Sequence, residues 1–515
     1  MRSFFSVDPK TCPPATQALH AGLGARLYSR TSGPGRTRWG AAGATCIAAQ
    51  SRSRASFTVD SFFLAESFRF STPCPRWDEA TLRSTGYLSP KFKTKPYWTE
   101  GLGPFGALNA SPAGSSDVAV IGGGPAGLSA ALTLAQSGRT VTVFEAGTIG
   151  DGAVARSAGS LSHVPKASLG DLTASYGREA ALSIYREARA AREYVEGLIR
   201  DHRIDCGLQS VTRFLAAHSE AAFARQKSNL ASLRESWGEV ELVTREEQRR
   251  SIGSDAFFGG LQMANSATLQ PALLQEGLAR VAISAGAALR LDTRVDDVRG
   301  GRGAFEIVTR EASYRASDVV LATGADTGFG PGRFRTLARR IVAMEAYCVA
   351  TEEVSSNLMK RVLPLQGPVS DTYKIINYIA PSHDNRRFIL SGRAGRTDGG
   401  LAQKAERMFG YFAERFPDLR GVKVTHCWSG RFAISADWIP HMGVEDGVHY
   451  ALGCCGTGIP MATWLGHRIA LEILGRPSSR SAFDRPLPPM PFHAARKLLM
   501  PLVMRGYALR DSVLR

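Results

Sequence analysis

The chain of 515 residues has no run of about 18 apolar residues, no Cys-x-x-Cys pair, no Gly-x-Ser-x-Gly and no internal repeat. Without a long apolar run no transmembrane helix is expected, and membrane contact is not expected to be its business. Its eight cysteines (Cys12, Cys46, Cys74, Cys206, Cys348, Cys427, Cys454 and Cys455) keep no zinc spacing with histidine, so no metal site is expected. A chain this long needs no disulfide framework, and free thiols in a reducing, cytoplasmic compartment fit best. Adjacent Cys454 and Cys455 read as small buried hydrophobes rather than a redox pair. The missing nucleophile elbow argues against Ser-His-Asp hydrolysis. Acids are scarce near the start: residues 1–77 hold ten Lys/Arg against Asp8, Asp60 and Glu66, leaving 53 basic and 43 acidic residues for the rest, within a net charge of +17. Beyond the start both signs alternate along helices, which reads as a mildly basic solvated surface and not a nucleic-acid footprint.

What is present falls into unlike stretches. Residues 1–85 are rich in Arg, Ser, Gly and Ala and lack periodicity. They read either as a mitochondrial transit peptide or as a disordered or misassigned extension, and the lack of a continuous apolar segment behind a basic start argues against a secretory signal. Residues 86–115 are a lead-in and linker, in which Pro96, Tyr97 and Trp98 offer a clamp onto the body. Residues 117–121 read as a buried strand, 125–136 as a helix stopped at Gly138, and 140–144 as a second strand, which is a βαβ beginning. Further helices are expected over 177–199, 221–237, 269–285, 403–416 and 460–474, with strands at 316–322, 341–350, 374–380, 387–390 and 448–452.

The turn after the first strand reads Gly122-Gly123-Gly124-Pro125-Ala126-Gly127, a G-x-G-x-x-G. Gly122 allows the tight turn, Gly124 lets a pyrophosphate reach the backbone, and Gly127 lets helix and strand pack closely. The helix start, Pro125 and Ala126, supplies free N–H groups and a positive dipole end. Glu145 ends the second strand, where a carboxylate accepts from a ribose 2′-hydroxyl and repels a 2′-phosphate. The strand that ends in Thr323-Gly324 and the turn Gly456-Thr457-Gly458-Ile459, set between a strand and a helix, add two more small turns. A helix start at the latter suits the negative charge of a reduced flavin and distinguishes FAD from a simple NAD domain.

With these residues in place the chain resembles the D-amino-acid-oxidase-like family of FAD-dependent oxidoreductases from about residue 116 to 475, and within it the bacterial γ-glutamylputrescine oxidase branch. Residues 152–159, with Arg156, Ser157 and Gly159, resemble the loop over flavin and pyrophosphate. Leu269-Gln270-Pro271 and Thr293-Arg294-Val295 resemble the segment reaching the adenosine, where Ala146 and Val295 would contact it. Trp428-Ser429-Gly430 with Asp437, Pro440 and Gly443 resembles the block before the last flavin turn. The resemblance implies an α/β fold: a discontinuous Rossmann-like FAD domain (about 116–210, 265–335 and 425–475), a mixed or antiparallel-sheet α+β substrate domain (211–264 and 336–424), and a tail over 476–515. It also implies non-covalent FAD and oxidation of the C–N bond of an amine or amino acid, with reoxidation by oxygen or an electron carrier. Thr457 stands where relatives commonly carry His.

Such chemistry asks side chains for orientation and a dry pocket. Tyr378, Arg393 and Trp428 are the substrate-positioning candidates, with Tyr373, Asn377 and Arg431 nearby in sequence and His163 as a conceivable base. Each has a plainer reading: core packing for the aromatics, a surface guanidinium for the arginines, a structural imidazole for the histidine.

Overall fold

Two sheets organise the chain, each built from strands far apart in sequence. The structure is a computed structural model that describes residues 86–100, 102–103, 114–392, 399–491, 493–495, 502 and 506. Arg393, residues 1–85, most of the linker and part of the tail lie outside the described residues. In chain order the elements begin with β1 (Leu88–Lys93), β2 (Ser115–Ile121), α1 (Pro125–Gln136), β3 (Val141–Phe144), β4 (Ser160–Leu161), α2 (Leu169–Tyr176), α3 (Arg178–Asp201) and β5 (Gln209–Ala216). Next come α4 (Glu220–Ser228), α5 (Leu230–Trp237), β6 (Val240–Val243), β7 (Gly260–Thr268), α6 (Pro271–Ser284), β8 (Ala288–Arg290), β9 (Val295–Gly301), β10 (Ala304–Thr309) and β11 (Ser313–Leu321). The last part holds α7 (Arg335–Ala338), β12 (Val342–Thr351), α8 (Ser356–Val362), β13 (Val369–Asp371), β14 (Asn377–Pro381), β15 (Phe388–Gly392), α9 (Leu401–Arg415), β16 (Val424–Ile434), β17 (His441–Glu445), β18 (Val448–Leu452) and α10 (Gly458–Ile473).

The first sheet runs β17-β18-β11-β2-β3-β8, with β9 and β10 attached to β11. From β18 to β8 its neighbours are parallel. The end of β2 (residues 118–121) and all of β3 are buried and, Thr142 apart, apolar because both faces are covered there, as a parallel sheet requires: α1, α3, α6 and α10 pack on one side and Phe305, Phe334 and Leu337 on the other. The Gly466 hydrogen that replaces a side chain lets α10 lie against α1, since a Cβ there would stand 1.9 Å from the Ala126 carbonyl oxygen. Along α3, Ala181, Ile184, Ala188, Ala191, Val195 and Ile199 keep a helical period and are buried, while most charged positions face out and Arg192 is the buried exception.

The second sheet has ten strands, β1-β16-β12-β15-β14-β13-β5-β7-β4 with β6 on β7, mostly antiparallel. Helix α9 covers one face through Ala405, Met408, Phe409 and Phe412, against Phe214, Tyr347, Val349, Ile379 and Leu390. Burying each of these large side chains contributes about 1.5–3 kcal/mol. The helix expected over 221–237 is two: Asn229 ends α4 and begins α5. Strand β16, expected to lie with the nucleotide part, pairs with β12 over ten residues in the second sheet. Among the described residues no helix is long and apolar enough to cross a membrane.

Candidate active site

Three glycines of the first turn differ in what forbids a side chain. Gly122 has φ +108, and a Cβ there would lie 2.6 Å from the Ala322 oxygen, at the end of β11 beside Thr323 and Gly324. At Gly127 a Cβ would lie 1.9 Å from the Gly122 oxygen. Both are demanded by the protein itself. Gly124 is not: its φ is −73 and nothing lies within 4 Å of a Cβ built on it. Neither backbone nor neighbours require glycine there, whereas a diphosphate laid on the helix start would. With Pro125 at the first helical position and no side-chain cap, the N–H groups of Ala126 and Gly127 open the helix.

Glu145 closes β3 against this turn. Its carboxylate accepts from Gly123 N at 2.6 Å and from Gly147 N at 3.0 Å, and burial pushes its pKa up. Two backbone donors leave lone pairs for ribose hydroxyls. Ala146 follows it, and Val295, buried at the start of β9, lies beside the segment in which Thr293 N donates to the Glu145 carbonyl at 2.8 Å. Gln275 of α6 donates to the Gly123 carbonyl, which fixes the turn from below.

The second helix start is α10. Cys455 (φ +51) and Gly456 (φ +87) turn the chain, and the Thr457 hydroxyl is spent on the Cys454 carbonyl at 2.8 Å. Gly458 and Ile459 open the helix, and a Cβ on Gly458 would meet only Val154, at 3.9 Å. That contact brings the last turn to the loop over residues 152–159. These residues fit FAD: an unobstructed pyrophosphate cradle, a carboxylate at the adenosine end, and a second helix start at the other.

The loop itself is held from beneath. Trp428 Nε1 donates to the Arg156 carbonyl at 2.9 Å and Trp98 Nε1 to the Ser157 carbonyl at 2.8 Å. The Arg156 guanidinium reaches back to the Asp151 carbonyl at 2.9 Å and the Ser429 carbonyl at 3.3 Å. At Gly159 a Cβ would strike the Leu269 oxygen at 2.2 Å, so β4 and α6 meet there backbone to backbone. Trp428, a substrate-positioning candidate with core packing as its plainer reading, is a fully buried strut of this loop, packed with Trp98, Ala155 and Cys348.

The face of the ten-stranded sheet turned away from α9 lies across from this loop. Pairing puts Ser370 opposite Tyr378, Tyr378 opposite Ser391, and Cys348 opposite both Ser391 and Trp428. Arg213, on β5, joins that face and donates from Nη2 to Ser370 Oγ at 2.7 Å. Its Nε is buried without a partner, and no carboxylate among the described residues pairs with it. Burial lowers its pKa. The Tyr378 hydroxyl lies near Ser160 and the Arg213 charge but meets no partner at hydrogen-bonding geometry, and burial pushes it up to about 12. Arg213 was not anticipated; a single charge inside Val211-Thr212-Arg213-Phe214-Leu215 was its one trace in the sequence.

Other candidates are engaged elsewhere. Arg431 pairs with Asp326. Asn377 donates to Asp371 at 2.7 Å, and Tyr373 stacks on His218 at 4.1 Å. His163 is buried against Trp237, with Nε2 3.1 Å from the Trp237 carbonyl and Nδ1 3.3 Å from Arg192, and burial lowers its pKa to about 4. It is a structural imidazole and not a base poised near neutrality.

A two-layer nucleotide fold with an open G-x-G-x-x-G cradle facing a mostly antiparallel sheet defines a flavin-dependent oxidoreductase. Residues 117–471 match the model of the FAD dependent oxidoreductase family (DAO), and the chain belongs to that family. It is 28% identical over 421 residues to the gamma-glutamylputrescine oxidoreductase of Escherichia coli (strain K12), covering 80% of this chain and 96% of that one. Glycine oxidase of Bacillus licheniformis is 25% identical over 376 residues, covering 70% and 94%. Among solved structures, glycine oxidase from Geobacillus kaustophilus superposes with a TM-score of 0.60 at 25% identity, covering 72% of this chain and 96% of that one.

Proposed function

We propose that this flavoprotein oxidises the carbon–nitrogen bond of an amine or amino acid that carries an anionic group. The observation that carries the substrate class is Arg213: a half-buried guanidinium on the flavin-side face of the sheet, its Nε sealed from solvent, with no acid among the described residues to neutralise it. A buried charge is costly unless paired, so an anion arriving with the substrate is its natural counterion. A carboxylate suits the planar fork, and Tyr378 adds an O–H donor beside it. The relatives named for γ-glutamylputrescine and glycine support this reading, because both compounds join an amine to a carboxylate.

When bound, FAD supplies the two-electron oxidant. The chain's own residues do the rest. Arg213 and Tyr378 orient the substrate, the struts under residues 156 and 157 set the loop, and the apolar layer of Ala155, Ile389, Cys348 and Trp428 keeps water out. None of the sequence candidates supplies a general base to this face, so the substrate amine enters already neutral. The oxidised substrate is an imine, to which water adds, releasing the amine or ammonia and a carbonyl compound. Cys348 and Cys454 are each pushed up to about 12 by burial, which keeps them protonated and favours non-covalent FAD. Oxygen is the proposed acceptor.

Anaerobic addition of amines with and without a carboxylate, followed through flavin absorbance, tests this reading. Bleaching confined to the carboxylated amines, with one peroxide per turnover on admitting air, is the expected result. Bleaching only by uncharged amines would overturn the anionic-substrate reading. Turnover with dyes and none with oxygen would move the chain to the dehydrogenases.

A further inference from the structure

The lead-in before β2 is tied to the flavin loop by bonds that the nucleotide fold does not require. Strand β1 adds to the edge of the ten-stranded sheet, parallel to β16. Tyr87 packs edge-on against Phe409 at 5.1 Å, and its carbonyl accepts from Val424 N at 2.8 Å. Glu100 pairs with Lys93 and with His426 at 3.0 Å, and the Arg387 guanidinium sits 5.1 Å over the Tyr97 ring. Between these anchors a single 3-10 turn, Tyr97–Thr99, drives Trp98 under the loop until it is 2% exposed.

There Trp98 is used at both ends. Its indole donates to the Ser157 carbonyl, and its own carbonyl accepts from Gln270 Nε2 at 2.7 Å. The same Gln270 caps α6 by accepting from Ala272 N at 2.6 Å and Leu273 N at 2.9 Å. Five residues on, Gln275 holds the Gly123 carbonyl of the pyrophosphate turn. A chain of direct contacts therefore runs from the lead-in to both halves of the cofactor site.

A planar trans peptide points its N–H opposite to its C=O. With the Ser157 carbonyl held down by Trp98, the N–H of Ala158 in the same peptide faces the other way. The Ser157 N–H is spent on the Val154 carbonyl at 2.9 Å, whereas the Ala158 N–H has no partner among the described residues, although Ala158 is only half-buried.

We propose that residues 86–100 form a strap whose Trp98 is a positioning residue for the flavin, fixing the peptide between Ser157 and Ala158 so that the Ala158 N–H is presented to the cofactor. This rests on FAD occupying the site. The strap is a working part of that site and not a lead-in to it.

The full chain carrying Trp98→Phe, which keeps the ring and removes the N–H, is compared with wild type and with Trp237→Phe. Trp237 makes the same kind of bond, indole to the Ala264 carbonyl at 2.7 Å, in the layer by α5 and away from the loop. FAD affinity, the flavin absorption spectrum and melting of the flavin-free protein are the readouts. Trp98→Phe is expected to weaken FAD about three- to ten-fold, the loss of one net hydrogen bond, and to alter the flavin spectrum. Trp237→Phe is expected to lower melting and leave affinity and spectrum as in wild type. Trp98→Ala, which also loses the packing, should weaken FAD further. Wild-type affinity and spectrum in Trp98→Phe, or equal losses of affinity in both variants, would overturn the strap's role while leaving the FAD reading intact. A wild-type protein that takes up no FAD would overturn both.

Discussion

Around the start of α1 the chain offers a ligand main chain and empty space, whereas the inner face of the ten-stranded sheet offers Arg213, Ser370, Tyr378 and Ser391. The first surface is shaped to fit a diphosphate. It is built from what is missing, the Cβ of Gly124 above all. The second, on the proposed reading, would recognise by charge and hydroxyl, and it is built from side chains on strands β5, β13, β14 and β15. The difference teaches where change is tolerated. A backbone site fails when any bulk is added, and a side-chain site fails when particular atoms are removed.

The sharpest break of that comparison lies within the glycines. Gly127→Val puts a Cβ 1.9 Å from the Gly122 oxygen, so the fold itself should suffer, by about 3 kcal/mol, in flavin-free protein. Gly124→Val meets nothing within 4 Å and has an ordinary φ, so flavin-free stability should change by no more than about 1 kcal/mol. FAD affinity should nevertheless fall at least about 100-fold, or about 2.8 kcal/mol. Thermal melting with and without FAD separates the two. Full FAD occupancy in Gly124→Val would remove the ground for placing a diphosphate on α1.

The backbone site was legible in the sequence because its signals are local. Gly122, Gly124, Gly127 and Glu145 lie within 24 consecutive residues, and each spacing follows from strand, turn and helix geometry. The side-chain site was not, because it depends on register between strands far apart. Ser370 meets Arg213 across 157 residues. A shift in register between Val211 and Arg213 further resets which β5 residues share a face, so simple alternation misassigns them. Trp428 shows the same limit. Its place in a Trp-Ser-Gly block was noted, but nothing near it in sequence says that its indole turns to a carbonyl 272 residues earlier.

Removing atoms from the second surface should give the next largest effect. Arg213→Met keeps length and apolar bulk and deletes the charge. For carboxylated amines kcat/KM is expected to fall about 100-fold, with FAD affinity unchanged, while an uncharged amine loses little. Flavin-free stability should hold or rise by about 1 kcal/mol, because an unpaired buried charge has been removed. A clear loss of stability with unchanged discrimination between the two amines would make Arg213 a structural residue. Tyr378→Phe should act the same way by a smaller factor, about three- to ten-fold.

The smallest effect concerns His163, which follows the loop in sequence yet is committed to Trp237 and Arg192. Its folded-state pKa of about 4 lies below the ordinary 6.5, mainly through burial. A base depressed on folding contributes stability that is present above pH 6.5 and lost as pH falls toward 4, up to about 3 kcal/mol across that window. His467, also lowered to about 4 by burial, works in the same direction and would leave part of the slope in place. His163→Asn should therefore flatten the fall in melting temperature between pH 6.5 and 4 without abolishing it. The kcat/KM profile should keep its shape, since the proton that matters is lost by the substrate amine before binding. A variant whose kinetic profile loses a limb near neutrality would reinstate His163 as a base and place the second surface closer to α3 than Arg213 and Tyr378 put it.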